Sequence, residues 1–245
     1  MHARSLLWAN KNRKRLIFVA PIKFSRMELE STKAIILQVV DYSDSQAIVH
    51  AYTSEYGRLS FITSKKSKSL KNNVLFQPLF LVEISFYGSR YSDMRRIKAV
   101  QLWKPFIDIP FNHGKTFICL FISELLSKTL REQVANKVLF DFIVSSIELF
   151  DQSRDTWSCF HLSFMVHFSK YLGIYPTFGF SVSQSYDNED IGVLLDRLKD
   201  TSITDFSNIK LTRAQRQVVL NRLLSYYQMH LPIGDLFSHR VLQQF

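Results

Sequence analysis

The sequence predicts an α+β protein in which a small closed β-barrel is followed by an all-helical domain. Residues 27–104 contain five short segments with the β-branched composition and turn spacing of strands, and no segment there has a helical period. Beyond residue 105 the apolar residues recur at helical spacing. The 245 residues are 47% hydrophobic, enough to build a core, so wholesale disorder is excluded.

The strand segments are separated by residues that favour turns. The first segment ends at the polar run 41–45, Gly57 precedes the third, and Gly88 follows the fourth. Five short strands within about 70 residues favour a barrel, and the five-stranded OB-fold is the commonest of this kind. The strands are predicted at 34–40, 47–53, 59–63, 75–87 and 94–103.

Residues 105–110, bounded by two prolines, mark the change from strands to helices. Gly173 is a stop signal for the third helix, and the run 212–215 (Thr-Arg-Ala-Gln) resembles a capping box at the start of a later helix. The segment 192–198 fits a short helix or a strand. Helices are predicted around 117–126, 138–150, 157–172 and 212–229, with a last amphipathic piece reaching 245.

The formal net charge of +10 and the pI near 9.6 suggest a polyanionic partner, either nucleic acid or an acidic membrane surface. The excess is uneven, since residues 1–26 carry +7, residues 27–104 carry +4 and residues 105–245 carry −1. Most of the charge therefore lies in the first tenth of the chain. No stretch approaches the ~18 apolar residues of a membrane span. We predict no membrane partner, with a peripheral membrane protein that uses residues 1–26 as an alternative.

The basic leader 1–26 allows several interpretations. Its basic run 10–15 followed by apolar residues imitates a signal peptide, but Pro21, Lys23 and the lack of a small-x-small cleavage site count against one. A nucleic-acid-binding arm and an organelle transit peptide are alternatives. We favour a fourth interpretation, in which Met27 is the start and the leader is not part of the native structure.

The sequence offers no constellation for an enzyme. It lacks the glycine motifs of dinucleotide sites and P-loops, and it lacks G-x-S-x-G and H-E-x-x-H. Cys119 and Cys159 are too few for a four-cysteine zinc site, and Cys159 and His161 point to different faces of a helix. The acidic residues near 187–190 fit a solvated loop better than a cation site. We therefore predict no metal and no cofactor, with a metal-dependent nucleic-acid enzyme as the alternative.

Cations and aromatic rings interleave within the predicted barrel. Positive charges that track phosphates, beside flat rings on which bases stack, are what a single-strand-binding surface requires. A solvated loop explains the lysines equally well, and Phe61 and Phe86 fit the barrel core better than a base-stacking role. The candidate DNA-binding residues are Arg58, Lys65, Lys66, Lys68, Lys71, Tyr87, Arg90, Tyr91, Arg95 and Arg96.

Several motifs of the chain resemble the RecO family of bacterial DNA repair proteins. The likeness is specific between residues 30 and 110 and looser up to residue 245, where His-Leu-Pro at 230–232 precedes a short terminal helix. The motifs are Lys-Ala-Ile-Ile-Leu at 33–37, Asp-Tyr-Ser-Asp-Ser at 41–45, Tyr-Thr-Ser-Glu-Tyr-Gly at 52–57, the basic loop, and Gln-Pro-Leu at 77–79 leading into Leu-Val-Glu at 81–83.

The resemblance implies an OB-fold at 27–104, a helical domain at 105–245 and a role in repair without catalysis. It implies a cytoplasmic, nucleoid-associated recombination mediator of the RecF pathway that binds single- and double-stranded DNA and anneals complementary strands. Its implied partners are RecR and the single-strand-binding protein SSB, and it would help RecA load onto SSB-coated DNA. An acidic, aromatic-ended SSB tail needs an apolar pocket rimmed by cations, for which Lys128, Arg131 and Arg154 are candidates.

Two departures from the family pattern affect these expectations. The basic loop here reads Ser-Lys-Lys-Ser-Lys-Ser at 64–69 where the family usually has a Gly-Ala-Arg type of loop, so the charge is kept and the loop geometry is in question. Many members carry a four-cysteine zinc site after the helix that ends near Gly173. Residues 174–190 contain no cysteine, which is why no zinc is expected.

Overall fold

The computed structural model describes residues 29–65, 75–88, 94–154, 156–176 and 189–242. Within these residues, five strands are followed by six α-helices and two short 3-10 helices at Ile109–Phe111 and Ile203–Asn208. The strands are β1 (Leu29–Asp41), β2 (Gln46–Thr53), β3 (Gly57–Ser64), β4 (Leu81–Tyr87) and β5 (Met94–Lys104). The α-helices are α1 (His113–Thr129), α2 (Lys137–Gln152), α3 (Phe160–Tyr171), α4 (Glu189–Asp200), α5 (Arg213–His230) and α6 (His239–Leu242).

The strands close into a barrel in the order β1-β2-β3-β5-β4. All neighbours pair antiparallel except β3 and β5, which run parallel. Strand β1 closes the barrel because its two halves pair with different partners. Following the pairing around the barrel from Val40 leads back to Leu29, eleven positions earlier on the same strand. Such a stagger means that the strands are strongly tilted against the barrel axis.

The interior of the barrel is filled by residues that alternate with outward ones along each strand. Phe61 and Phe86 meet edge to face at its centre, with ring centroids 5.3 Å apart. This confirms their assignment to the core. The barrel is the predicted OB-type fold, and the helices follow it as predicted.

A second core lies between the barrel and the helices. Outward residues of β1, β2 and β4, namely Ile35, Tyr52 and Leu81, belong to the same buried cluster as the helical interior. Ser123 of α1 also donates a hydrogen bond to the Leu37 carbonyl. The helices therefore cover one flank of the barrel and do not pack against each other alone.

Polar side chains fix the joint between β5 and α1. The Asp151 carboxylate accepts backbone N–H groups of residues 107–109 at 2.7 to 3.0 Å. The fully buried ammonium of Lys115 forms an ion pair with Asp108 at 2.9 Å and donates to the Phe150 carbonyl at 2.7 Å, at the end of α2. A buried charge needs such compensation, and here it holds the linker against the helix end.

Gly57 forms the closest approach between the barrel and the loop after α1. Its φ is +66°, in the left-handed region that favours glycine. A Cβ built on it would lie 2.5 Å from the Val134 carbonyl oxygen, while the next residue's amide donates to the Glu132 carbonyl at 3.0 Å. The motif Tyr-Gly at 56–57 is therefore required for contact with the helical part as well as for a turn.

Two details of the predicted elements can be compared with the structure. The capping box is confirmed, because the Thr212 side chain accepts from the Gln215 amide while Gln215 accepts from the amide of Thr212. The fourth strand is shorter than predicted. Residues 75–80 form turns, and they are apolar because Phe76 and Phe80 join the barrel core. No helix within the described ranges is long and apolar enough to cross a membrane.

Candidate nucleic-acid interface

The parallel pairing of β3 and β5 places the two predicted arginines of β5 beside β3. Arg95 pairs with Phe61 and Arg96 with Ile62, and Lys65 follows Ile62 by three residues. Three residues of strand span about 10 Å. The start of the basic loop and the arginines of β5 therefore lie on one edge of the barrel, as the interleaved pattern required.

Arg95 is held by aromatic rings. Its guanidinium carbon lies 5.6 Å from the centroid of Tyr56 and 5.7 Å from that of Phe86. Its Nε is buried and has no hydrogen-bond partner among the described residues. The rings restrict the orientation of the guanidinium, and because Nε is buried, a phosphate could be met only by the two terminal nitrogens.

The platform under Arg95 is itself fixed by a hydrogen bond. The Tyr56 hydroxyl donates to Glu30 at 2.6 Å, and its ring meets Phe86 edge to face at 5.9 Å. The hydrogen bond to Glu30, then burial, raises the pKa of Tyr56 to about 12. Tyr56 therefore stays protonated at neutral pH, and the Arg95 side chain rests on a rigid, uncharged surface.

Arg96 and Tyr87 are direct neighbours across β4 and β5. Arg96 is exposed and Tyr87 is half-buried, and the Lys98 ammonium lies 5.9 Å from the Tyr87 ring centroid. The predicted Tyr87–Arg96 combination is thus a contiguous surface, and Lys98 extends it. Lys98 was not among the predicted residues, although its alternation with Arg96 along the strand is visible in the sequence.

The basic loop is described only at its first residue. The Lys65 ammonium lies 3.0 Å from an Asp41 carboxylate oxygen, and the Lys65 amide donates to the Ser45 carbonyl at 2.9 Å. An exposed pair of this kind is weak, so Lys65 can still exchange Asp41 for a phosphate. The remaining loop and hairpin candidates, Lys66, Lys68, Lys71, Arg90 and Tyr91, lie outside the described residues.

Arg58 has a different environment from the one that its sequence position suggested. Its guanidinium donates to the carbonyls of Ser127 and Leu130 at the end of α1, the latter at 3.1 Å. Burial, then the nearby Arg131, lowers its pKa from the ordinary arginine value. Cations at helix C-termini are stabilising. Arg58 therefore ties β3 to α1, and we leave it out of the proposed DNA surface.

Two of the three candidate partner-binding cations meet at one pocket. Lys128 and Arg131 line a cavity of about 400 Å³ between the end of α1, the end of α3 and the C-terminal segment, which we call the junction pocket. Arg131 donates to the Pro232 carbonyl at 3.1 Å. Arg154 does not line this pocket. It is exposed beyond α2, and its charge acts on Asp108.

The junction pocket combines apolar walls with a charged rim, in which Lys128 and Arg131 stand beside Glu132 and Lys128 is paired with Glu124 at 3.4 Å. The barrel contributes one wall, Tyr52, which sequence reasoning missed because nothing in β2 distinguishes it from a core residue. The apolar and aromatic lining residues are Tyr52, Leu130, Val134, Leu139, Tyr171, Leu172, Leu231, Pro232 and Ile233. This composition suits a short peptide with an apolar end and acidic residues.

Comparisons with known proteins agree with these features. Residues 27–106 match the family model for the Recombination protein O N terminal domain, and residues 112–185 match that for the C terminal domain. The chain belongs to the RecO family of DNA repair proteins. The N-terminal model therefore covers the barrel, and the C-terminal model covers the first part of the helical region, residues 112–185.

Curated RecO relatives cover nearly the same length. The chain is 30% identical over 223 residues to the DNA repair protein RecO of Azobacteroides pseudotrichonymphae, covering 83% of this chain and 92% of the relative. It is 31% identical over 225 residues to RecO of Bacteroides fragilis, covering 83% and 93%. RecO of Phocaeicola vulgatus is 39% identical over 150 residues, which is 60% of this chain and 62% of that protein.

The predicted lack of metal stays a prediction. Within the residues that the structure describes, no three His, Cys, Asp or Glu side chains are grouped as metal ligands would be. Most of the zinc-site region 174–190, including residues 177–188, lies outside them, as does the leader 1–26. Cys119 and Cys159 are both buried, and burial raises their thiol pKa values.

Proposed function

We propose that this RecO protein is a non-enzymatic recombination mediator that binds single- and double-stranded DNA through its barrel and anneals complementary strands. The observation that carries the proposal is the pair of arginines on β5, with Arg95 beside Tyr56 and Phe86 and Arg96 exposed next to Tyr87. A structural arginine is expected to satisfy its donors within the protein, as Arg58 does. Arg96, by contrast, is exposed beside Tyr87, and its guanidinium can reach an external acceptor.

The mechanism is electrostatic. Arg95, Arg96 and the basic loop neutralise phosphates and release counterions, so that the repulsion between two approaching strands falls. Contacts of this kind hold the backbone without reading base edges, which leaves the bases free to pair with a complementary strand. Affinity should therefore depend steeply on salt and weakly on sequence.

The DNA-binding proposal is tested by fluorescence anisotropy with a labelled oligonucleotide across a salt series. Arg95→Ala/Arg96→Ala should weaken binding at least 10-fold and reduce the salt slope by about 1.4, at about 0.7 per single-strand phosphate contact. Lys137→Ala/Lys210→Ala removes the same charge from the helical part and should change neither. Arg95→Lys keeps the charge but loses the fork, and should fall between the two.

If the wild type binds DNA and the arginine variant binds it with the same affinity, the DNA-binding surface is wrongly assigned. The alternative function, a metal-dependent nucleic-acid enzyme, predicts turnover of DNA by the purified protein when Mg²⁺ or Mn²⁺ is added. Intact oligonucleotides after incubation with either ion, together with annealing of complementary strands in the same samples, would exclude this alternative.

The same proposal includes the partners that the RecO likeness implies. We infer that the acidic C-terminal tail of SSB binds in the junction pocket, with Lys128 and Arg131 facing its carboxylates and the apolar walls receiving its aromatic end. In this scheme the barrel, 27–104, holds DNA and the helical domain, 105–245, serves as the platform for SSB and RecR. The protein would then act at the nucleoid in the cytoplasm, aiding the loading of RecA.

The tail proposal is tested with a labelled peptide of the SSB tail sequence and a scrambled peptide of the same composition. Val134→Glu, at a largely exposed residue of the pocket lining, should abolish binding of the tail peptide, and Val193→Glu on α4, which is similarly exposed, provides the matched control outside the pocket. Arg131→Ala should weaken binding about 10-fold, in keeping with the loss of a charge-assisted contact. Equal affinity for both peptides would contradict a specific pocket.

A further inference from the structure

The barrel has a second exposed surface that the sequence motifs do not reveal. Outward residues of β1, β4 and β5 form a continuous face beyond the part that the helices cover, which we call the β1–β4–β5 face. Paired rows cross it from strand to strand, and no helix of the described chain packs on them. The rows are Leu29, Tyr87 and Arg96, then Ser31, Ser85 and Ala99, then Lys33, Glu83 and Gln101.

The β1–β4–β5 face carries exposed cations beside aromatic rings. The Lys33 ammonium lies 4.6 Å from the Trp103 ring centroid, and the Lys98 ammonium lies 5.9 Å from that of Tyr87. Arg96 is exposed at the same edge as Tyr87. Trp103 is partly buried, since it also stacks on Phe140 of α2 with ring centroids 6.3 Å apart. Cations that track a backbone, beside rings that remain partly accessible, are the elements of a single-strand-binding groove.

The acidic residue of this face is held by hydrogen bonds. Glu83 accepts from Gln101 Nε2 at 2.7 Å and from Ser31 Oγ at 3.0 Å, and these bonds, with the nearby Lys33, lower its pKa. Glu83 therefore stays ionised at neutral pH. Together with Lys33, Lys98 and Arg96 it leaves these four side chains with a net charge of +2.

The opposite face of the barrel has a contrasting composition. Nucleic acids on OB-folds commonly cross strands 2 and 3. Here the outward strand residues of that side that the structure describes include one cation, Arg58, whose guanidinium binds helix carbonyls. Burial, then Arg58, lowers the pKa of His50, so His50 is neutral at pH 7. The other outward residues there are Gln38, Val40, Gln46, Ile48, Ser60, Ile62 and Ser64.

The length of the β1–β4–β5 face suits a short single strand. Trp103 lies seven residues beyond Arg96 along β5, which corresponds to about 23 Å of strand. That distance can accommodate the smallest sites of about four nucleotides known for such barrels.

We propose that single-stranded nucleic acid runs along the β1–β4–β5 face, between Tyr87 and Trp103, with Lys33 and Lys98 on its phosphates. The path begins at Arg96, where the face meets the edge that carries Arg95. The inference rests on the proposed DNA-binding function and adds the route of the strand. It places the strand on the side away from β2, and it assigns binding roles to Lys33, Lys98 and Trp103.

The first test removes the two lysines. Lys33→Ala/Lys98→Ala should weaken binding of a labelled oligo-dT about 10-fold and reduce the salt slope by about 1.4. Lys137→Ala/Lys210→Ala is the charge-matched control and should bind like the wild type. Circular dichroism and thermal unfolding would confirm that each variant is folded.

The outcomes separate this inference from the function on which it rests. If Lys33→Ala/Lys98→Ala binds normally while Arg95→Ala/Arg96→Ala binds weakly, the protein binds DNA but the strand takes another route. If the wild type does not bind at all, the proposed function itself fails. If both double variants, Lys33→Ala/Lys98→Ala and Arg95→Ala/Arg96→Ala, bind more weakly than the wild type and the control variant does not, both proposals are supported.

A second readout follows the aromatic rings. Binding of oligo-dT should quench the tryptophan fluorescence of the wild type, and Trp103→Phe should lose most of that quenching while Trp157→Phe keeps it. Tyr87→Ala should weaken binding at least 5-fold if a base stacks on the ring, the low end of the range for such substitutions. Full quenching in Trp103→Phe would show that the strand does not reach this end of the face.

Discussion

The two flanks of the barrel share strands β1 and β4 but differ in what their outward residues contact. On the covered flank, Ile35, Tyr52 and Leu81 pack into the core shared with the helices. On the free flank, Lys33, Tyr87 and Lys98 lie outside that core and form cation–ring pairs at the surface. The covered flank therefore joins the barrel to the helices, and the free flank exposes positively charged side chains to solvent.

Two arginines show how this difference decides the role of a residue. Arg58 and Arg95 were predicted as equivalent phosphate ligands, one on β3 and one on β5. Arg58 faces the covered flank and donates to two carbonyls at the end of α1, whereas Arg95 lies beside the Tyr56 and Phe86 rings, and its Nε is buried without a partner among the described residues. The same type of side chain is thus tied to a helix end in one place and packed beside aromatic rings in the other.

The largest expected effect comes from breaking the covered flank at Gly57. Gly57→Ala places a Cβ 2.5 Å from the Val134 carbonyl oxygen at a φ of +66°. Steric overlap and backbone strain together should reduce the free energy of unfolding by about 3 to 5 kcal/mol, measured by urea denaturation.

Gly173→Ala is the matched control for Gly57→Ala. Its φ is +71°, but a Cβ there has no neighbour within 4 Å among the described atoms. It should therefore show the backbone strain alone, about 1 to 2 kcal/mol. Equal losses in the two variants would contradict the close contact between the barrel and the loop after α1.

Removing each of the two arginines in turn tests the comparison directly. Arg58→Ala should lower the free energy of unfolding by about 2 kcal/mol, because charge-assisted hydrogen bonds to the end of α1 are lost. Its affinity for a labelled single strand should stay within twofold of the wild type. Arg95→Ala should do the reverse, with weaker binding and little change in stability. A loss of affinity in Arg58→Ala without a loss of stability would return Arg58 to the DNA surface.

The helical core should make the protein sensitive to acid. Burial, then Arg216, lowers the pKa of His161 to about 3, so the unfolded state binds more protons than the folded state below pH 6.5. Stability should therefore fall as the pH is lowered, by about 2 kcal/mol between pH 7 and 5 from this residue. His50 and His167, whose pKa values are also lowered, add to the same trend.

His161→Leu checks this assignment. Urea denaturation at several pH values should give a visibly shallower decline for the variant than for the wild type, with the remaining slope due to the other histidines. Parallel declines for the two proteins would mean that His161 is not the group that titrates on unfolding.

The smallest effect is expected at Lys65. Its ammonium already has Asp41 as a partner at 3.0 Å, so Lys65→Ala should weaken single-strand binding no more than about twofold. Asp41→Asn should strengthen binding slightly, because it releases the lysine. Anisotropy at low salt measures both changes. A large loss in Lys65→Ala would make the loop, and not the strands of the free flank, the main contact.

Much of the fold could be predicted from the sequence because its signals are local. The strand segments, the helical spacing after residue 105 and the capping box at Thr212 all depend on neighbours within a few positions. The exception is residues 75–80, whose apolar composition resembled a strand. Their backbone instead forms turns, and Phe76 and Phe80 pack into the barrel core. Their hydrophobicity indicated correctly that they are buried, but it could not specify their backbone conformation.

The candidate site was predictable in its residue types and only partly in its geometry. The alternation along β5 suggested that Arg95 and Arg96 point to opposite sides, but not that aromatic rings hold one of them. Lys33 and Trp103 are 70 positions apart in the chain, and only the closure of the barrel brings them to 4.6 Å. Contacts of this range leave no signal in local spacing.

By itself the sequence determined the elements, their order and the family, since strand alternation, helical period and short motifs are read within a few residues. The tertiary structure alone decided which cations are engaged and which remain exposed. That choice depends on the parallel pairing of β3 with β5 and on the flank that α1 covers. Both come from long-range packing, because a side chain's charge is the same everywhere and its partners are set by the fold.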